Sequence, residues 1–195
     1  MPKLKPGLGL GLLTVEADVS PILDHLYLGA KAVSEDREVL DKYSICAIVN
    51  CTLHEPCYFE ESGIRYIRVE VTDEVESDIT PYLESAADFI EESRTADAKV
   101  LVHCTMGMSR STTVVIAYLM KYRGMGLAQA IQHTKERRPV ASPNTGFMRQ
   151  LIKYEQQLFG RCTVSMERYQ ADRFGDVSAF RTDGDGMVEE KGGGK

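Results

Sequence analysis

Apolar residues recur along this chain in two rhythms. Tyr82, Leu83, Ala86, Ala87, Phe89 and Ile90 follow a helical, one-faced spacing, the pattern of a helix packed on a core. Short runs rich in β-branched and aliphatic residues read as buried strands, near Leu26–Leu28, Cys46–Asn50, Tyr66–Val71 and Lys99–His103. Helices are predicted near Ser34–Asp41, Pro81–Ser93, Ser109–Arg123, Leu127–Glu136 and Pro143–Phe159. Gly124 is a good stop for the helix before it, while Ser142 can cap the last helix with Pro143 in its first turn. Strands separated by helices imply an α/β fold: a central, mainly parallel sheet flanked by helices on both sides.

The compact part spans residues 20–160, preceded by a flexible arm (1–19) and followed by a polar tail (161–195) with little to bury. A short helix is expected in that tail near Met166–Ala171. The arm's apolar stretch is short and broken by glycines, unlike a signal peptide. No apolar run approaches the roughly 20 residues needed to span a bilayer. With 23 basic against 29 acidic residues the net charge is −6, which favours neither nucleic acid nor an anionic membrane as partner. The basic cluster Lys135-Glu-Arg-Arg138 reads as a solvated helix end. Asp183-Gly-Asp185-Gly186 imitates a calcium loop, but the first and last ligand positions then fall on Arg181 and Gly192, so calcium binding is rejected.

The chemistry concentrates in His103-Cys-Thr-Met-Gly-Met-Ser-Arg110-Ser111, set between a strand and a helix. Such a loop aims successive N–H groups at one point, and the helix start adds partial positive charge there. A thiol of ordinary pKa, about 8.5, becomes a thiolate in such surroundings, so Cys104 reads as a nucleophile for phosphorus. The planar fork of Arg110 suits two phosphate oxygens. Ser111 is placed to donate to Cys104 and ease its departure. His103 is expected to orient the loop from behind through its ring nitrogens, and Gly107 to turn where a side chain would crowd the phosphate. Thr105, Met106, Gly107, Met108 and Ser109 supply the rest of the cradle. No metal or cofactor is called for.

The pattern His-Cys-x-x-Gly-x-x-Arg-Ser resembles that of cysteine-dependent protein phosphatases, and the surrounding sequence resembles the dual-specificity branch. Ile22-Leu-Asp-His-Leu-Tyr-Leu-Gly29, Ala47-Ile-Val-Asn50, Ala117-Tyr-Leu-Met120, Arg138-Pro139 and Ser142-Pro-Asn-Thr-Gly-Phe-Met-Arg-Gln-Leu151 carry the likeness from about Ser20 to about Phe159. Parts are similar to slingshot phosphatases and others to small plant-type enzymes. The resemblance implies a protein tyrosine phosphatase-like fold and an acid loop about thirty residues before the cysteine. That loop position falls on Asp73, with Glu74 and Asp78 as lesser candidates. It also implies that Asn144 braces the phosphate loop, although a plain helix-start role would account for it too.

The implied substrates are phosphorylated proteins, on both tyrosine and serine/threonine. Lipid phosphatases resembling this family carry lysines in the loop, and none stands between Cys104 and Arg110. A non-protein ester, lipid or glucan, and a phosphate-binding adaptor with little turnover remain as alternatives. Five cysteines without paired spacing, one of them a thiolate, point to a reducing compartment, cytoplasmic or nuclear. Cys51, or else Cys57, is a candidate for a transient disulfide with Cys104, against the ordinary reading of buried or loop cysteines.

Overall fold

A computed structural model describes residues 18–172. The calcium-like stretch of the tail and residues 1–17 of the arm therefore lie outside the described residues.

Among the described residues, five strands form one sheet in the order β1-β2-β5-β3-β4. They are β1 (Val19–Leu23), β2 (Leu26–Ala30), β3 (Ile45–Asn50), β4 (Arg65–Arg68) and β5 (Lys99–Cys104). β5 lies at the centre, parallel to β2 and β3, and β4 continues parallel beyond β3; only β1 runs antiparallel, as a hairpin with β2. The mainly parallel sheet expected from the alternation is the one found. β1 went unread because Pro21 sits inside it, and proline is tolerated in a strand chiefly at an edge, where β1 lies.

Alternate residues of each strand enter different cores. Leu28, Val49, Val100 and Val102 pack with α3 (Thr80–Thr95), α4 (Arg110–Arg123), α5 (Leu127–Arg137) and α6 (Thr145–Phe159). Tyr27, Ile48 and Leu101 face the opposite side, with Val33 of α1 (Lys31–Glu35) and Leu40 of α2 (Arg37–Lys42). Those two short helices replace the single one expected over Ser34–Asp41. Asp36 separates them: its backbone is extended, and its carboxylate accepts from the Glu38 and Val39 N–H groups to start α2.

α4 is buried from Ser111 to Met120 and ends, as expected, on Gly124 at φ 65°. α6 starts two residues later than predicted. Asn144, not Ser142, is its cap, accepting from the Phe147 N–H at 2.9 Å. β4 stops at Arg68, three residues short of the expected strand, although Val69 and Val71 beyond it stay buried.

The chain keeps packing beyond residue 160. The buried Glu155 carboxylate accepts from Thr163 N–H and Oγ–H and from the Leu127 N–H at the start of α5. Val164 is buried, as is Tyr169 of α7 (Met166–Asp172), whose hydroxyl donates to Pro143 O at 2.6 Å. The short helix expected near Met166–Ala171 is present as α7, and Val164 and Tyr169 pack on the core in a stretch expected to have little to bury. No helix among the described residues is long and apolar enough to cross a membrane.

Candidate active site

Cys104 ends the central strand and Arg110 begins α4, so Thr105–Ser109 must turn the chain within one loop. Gly107 makes this possible with a left-handed φ of 64°. A Cβ there would lie 2.6 Å from the Gly29 carbonyl oxygen and 2.7 Å from Arg138 Nη2. What requires glycine is therefore the backing of the loop, not the phosphate side expected from the sequence.

The loop closes around sulfur. Cys104 Sγ accepts from the Gly107 N–H and from Ser111 Oγ, each at 3.2 Å. Burial alone would push this thiol up. The Ser111 hydroxyl, the N–H groups of Ser111 and Met108 and the Arg110 charge outweigh burial and bring it below the ordinary thiol value. Arg110 donates from Nη2 to Thr105 Oγ1 at 2.9 Å and from Nη1 to Val71 O at 3.4 Å. Its buried Nε makes no hydrogen bond and lies 3.9 Å from Asp73 Oδ2.

Asp73 is brought to this point by α6. Asn144 Nδ2 donates to Asp73 Oδ1 at 2.9 Å and to Glu74 O at 3.3 Å. Gln150, two turns on, donates to Ser77 O and accepts from the Ile79 and Thr80 N–H groups. Between them Gly146 lets the segment lie flat, since a Cβ there would stand 1.9 Å from Val75 O. Asp73 Oδ1 also accepts from Ser109 Oγ at 2.6 Å, and that hydroxyl accepts from the Asn144 N–H at 3.0 Å. Asn144 thus reaches the loop only through its backbone, and its side chain holds the acid segment. Of the lesser acid candidates, Glu74 offers only its carbonyl, and Asp78 caps the start of α3 through the Thr80 N–H.

A cleft of about 450 Å³ joins Asp73, Cys104, Thr105, Met106, Met108, Ser109, Arg110, Ser142 and Asn144, with Arg110 its only cation among the described residues. His103 lies behind it and is fully buried. Neither ring nitrogen makes a well-formed hydrogen bond; the ring's backbone contact is a weaker one to Cys104, at the start of the loop it is expected to orient. The His103 carbonyl accepts from the Cys51 N–H at 2.8 Å, tying β5 to the chain just after β3. Burial pushes the imidazole pKa down to about 4, so it is neutral at pH 7. Cys51 is buried near Cys104; burial, with Cys104 adding, pushes its thiol well up, and it is free here, as is Cys57.

One residue of the site escaped the sequence reading. Arg138, taken for a solvated helix end, is 2% exposed and donates to two carbonyls of the loop, Gly107 O at 2.6 Å and Met106 O at 3.0 Å. The only local hint was the following Pro139, which ends α5 and lets the chain turn back beneath the loop. Among the described residues no group of three or more His, Cys, Asp or Glu side chains is arranged to hold a metal ion.

The family model for the dual specificity phosphatase catalytic domain matches residues 26–157. Human dual specificity protein phosphatase 14 is 41% identical over 148 residues, 76% of this chain and 74% of that protein. Drosophila melanogaster dual specificity protein phosphatase Mpk3 is 44% identical over 144 residues, but the match spans 73% of this chain and only 35% of that longer protein. The crystal structure of human DUSP28 superposes with a TM-score of 0.70 at 35% identity, covering 74% of this chain and 97% of that one.

Proposed function

The chain belongs to the dual specificity protein phosphatase family, and on that premise we propose that Cys104, Arg110, Asp73 and Ser111 carry out the hydrolysis of phosphotyrosine, phosphoserine and phosphothreonine in protein substrates. The supporting observation is convergence. The thiol that the loop stabilises as thiolate, the buried Arg110 Nε–H that makes no hydrogen bond and the anchored carboxylate line a single cleft.

In the first step, Arg110 and the loop N–H groups hold the phosphate oxygens while Cys104 Sγ attacks phosphorus. The bond to the leaving oxygen breaks, and Asp73 gives that oxygen its proton, leaving phospho-cysteine. In the second step, Asp73, now a carboxylate, takes a proton from water as the water oxygen bonds to phosphorus. The P–S bond breaks, the electron pair returns to sulfur, and the Ser111 hydroxyl stabilises the departing thiolate. Ser109 and Asn144 act on Asp73, fixing Oδ1 so that Oδ2 is the oxygen left nearest Arg110.

A protein substrate is favoured by charge. Among the described residues Arg110 is the only cation lining the cleft, which offers a single positive side chain against the several phosphates of a polyphosphorylated lipid headgroup. A thiolate nucleophile also needs a reducing environment, so we infer action in the cytosol or nucleus.

The decisive experiment is phosphate release from matched phosphotyrosine, phosphothreonine and phosphoserine peptides, with EDTA and reductant present and Cys104→Ser as blank. Cleavage of both peptide classes, abolished in the variant, is the expected result. Cleavage of none of them by the wild type would redirect the assignment to a non-protein ester or to binding without turnover.

A further inference from the structure

Two peptide units of the phosphate loop point their N–H groups at Cys104. The Met106–Gly107 unit does so through the Gly107 N–H, 3.2 Å from Sγ, and the Gly107–Met108 unit through the Met108 N–H. The far ends of these same two units are held by one side chain. Arg138 Nη2 donates to Met106 O at 3.0 Å, and Arg138 Nε donates to Gly107 O at 2.6 Å. The guanidinium is anchored in turn by Asp18, from Nη1 to Oδ1 at 2.7 Å and from Nη2 to Oδ2 at 2.8 Å.

A peptide unit is planar, so holding its C=O fixes the direction of its N–H. A cation on the carbonyl also polarises the unit and strengthens the N–H as a donor. Only a guanidinium offers enough N–H groups, in one fixed fork, to grip two carbonyls and a carboxylate together. Gly107 belongs to the same device, because any Cβ there would strike Arg138 Nη2 at 2.7 Å.

We propose that Arg138 is a positioning residue for the phosphatase reaction, holding the Gly107 and Met108 N–H groups aimed at the Cys104 thiolate and the substrate phosphate from behind the loop. This rests on the reading of Cys104 as nucleophile. The other charged or titratable groups facing Cys104 are Arg110 on α4, Cys51 after β3, His103 on β5 and Asp73 between β4 and α3. None of these hydrogen-bonds or pairs with Arg138, so its influence on sulfur runs through the two peptide units and through its own field.

The test uses two measurements that need no turnover, made on the full chain: the affinity for tungstate as a phosphate mimic, and the pH midpoint of Cys104 alkylation by iodoacetamide. Arg138→Met is expected to weaken tungstate binding about 10- to 100-fold, by misaiming donors to an oxyanion. Its alkylation midpoint should move up by about one pH unit, the equivalent of a tenfold loss of thiolate stabilisation. Arg138→Lys keeps the charge but cannot hold both carbonyls, and should fall between; if Arg138→Met does not fold, this variant decides alone. Folded variants with wild-type tungstate affinity and midpoint, whatever their melting temperature, overturn the proposal. Should these effects appear in a chain that hydrolyses no phosphopeptide, the phosphatase mechanism fails and this inference survives.

Discussion

The two ends of the sheet both hold clefts lined by arginine, and the larger is the one without the chemistry. At the amino ends of β2 and β5, a cleft of about 760 Å³ is bordered by His25, Tyr27, Lys99, Arg123 and Arg137. Beneath it the polar groups satisfy one another. The Tyr118 hydroxyl donates to Glu91 Oε2 at 2.9 Å, accepts from Arg123 Nη2 at 2.8 Å and meets His25 Nε2 at 2.9 Å. At the carboxyl end the cleft is about 450 Å³, yet Arg110 Nε is buried without a hydrogen bond and several N–H groups converge on one sulfur. In a parallel sheet the loops beyond the carboxyl ends start helices, so N–H groups and positive dipole ends collect there. Unsatisfied donors directed at a point identify a site better than volume does.

The largest way to sharpen this contrast is to remove the proposed acid. Asp73→Asn keeps the shape and should lower kcat for phosphoserine peptides by about 10²- to 10⁴-fold, the usual worth of a general acid. Undiminished turnover would remove Asp73 from the mechanism. A milder break moves the acid without touching it. In Gly146→Ala the new methyl must displace Val75 O, shifting the acid segment along α6. kcat should drop about 10- to 100-fold, the cost of roughly ångström misplacement, while the Cys104 alkylation midpoint stays put. A shifted midpoint would mean that the phosphate loop moves too.

Protonation separates the ends in a third way. His103 is neutral and buried with its pKa near 4, whereas the unfolded chain protonates it near 6.5. Its contribution to stability is therefore fully present above about pH 6.5 and is lost as pH falls toward 4, by on the order of 3 kcal/mol. Urea melts at pH 7 and pH 4.5 should show a smaller difference for His103→Gln than for the wild type; equal differences would exclude His103 as the source. The smallest effect belongs to the amino end. Tyr118→Phe should cost about 1–3 kcal/mol by leaving Glu91 and Arg123 short of a partner, with kcat per folded molecule unchanged. A fall in kcat would show that this network communicates with the site.

Much of this was legible because it is local. The strand before Cys104, the loop with its glycine, Ser111 one turn into α4 and the stop at Gly124 all depend on residues within a few positions of one another. Misreadings occurred where several local options were equally good. Ser142 and Asn144 can both cap a helix, and the choice fell to Asn144 because its amide is also needed by Asp73, 71 positions away. Arg138 was misread for a related reason: a charge at a helix end is solvated unless something distant covers it, and Asp18, 120 positions away, does so.

The sequence by itself determined the α/β order, the strand that ends in Cys104 and the loop that follows it, since periodicity, glycine and helix starts act over a single turn of chain. Only the tertiary structure decided how Asp73 is held beside Arg110, what holds the loop from behind and which residues after 160 pack on the core. Those answers are hydrogen bonds and buried contacts between groups far apart in the chain, such as Asn144 to Asp73, Arg138 to Gly107 and Tyr169 to Pro143. Such contacts come into being only once the core has closed and brought their partners together.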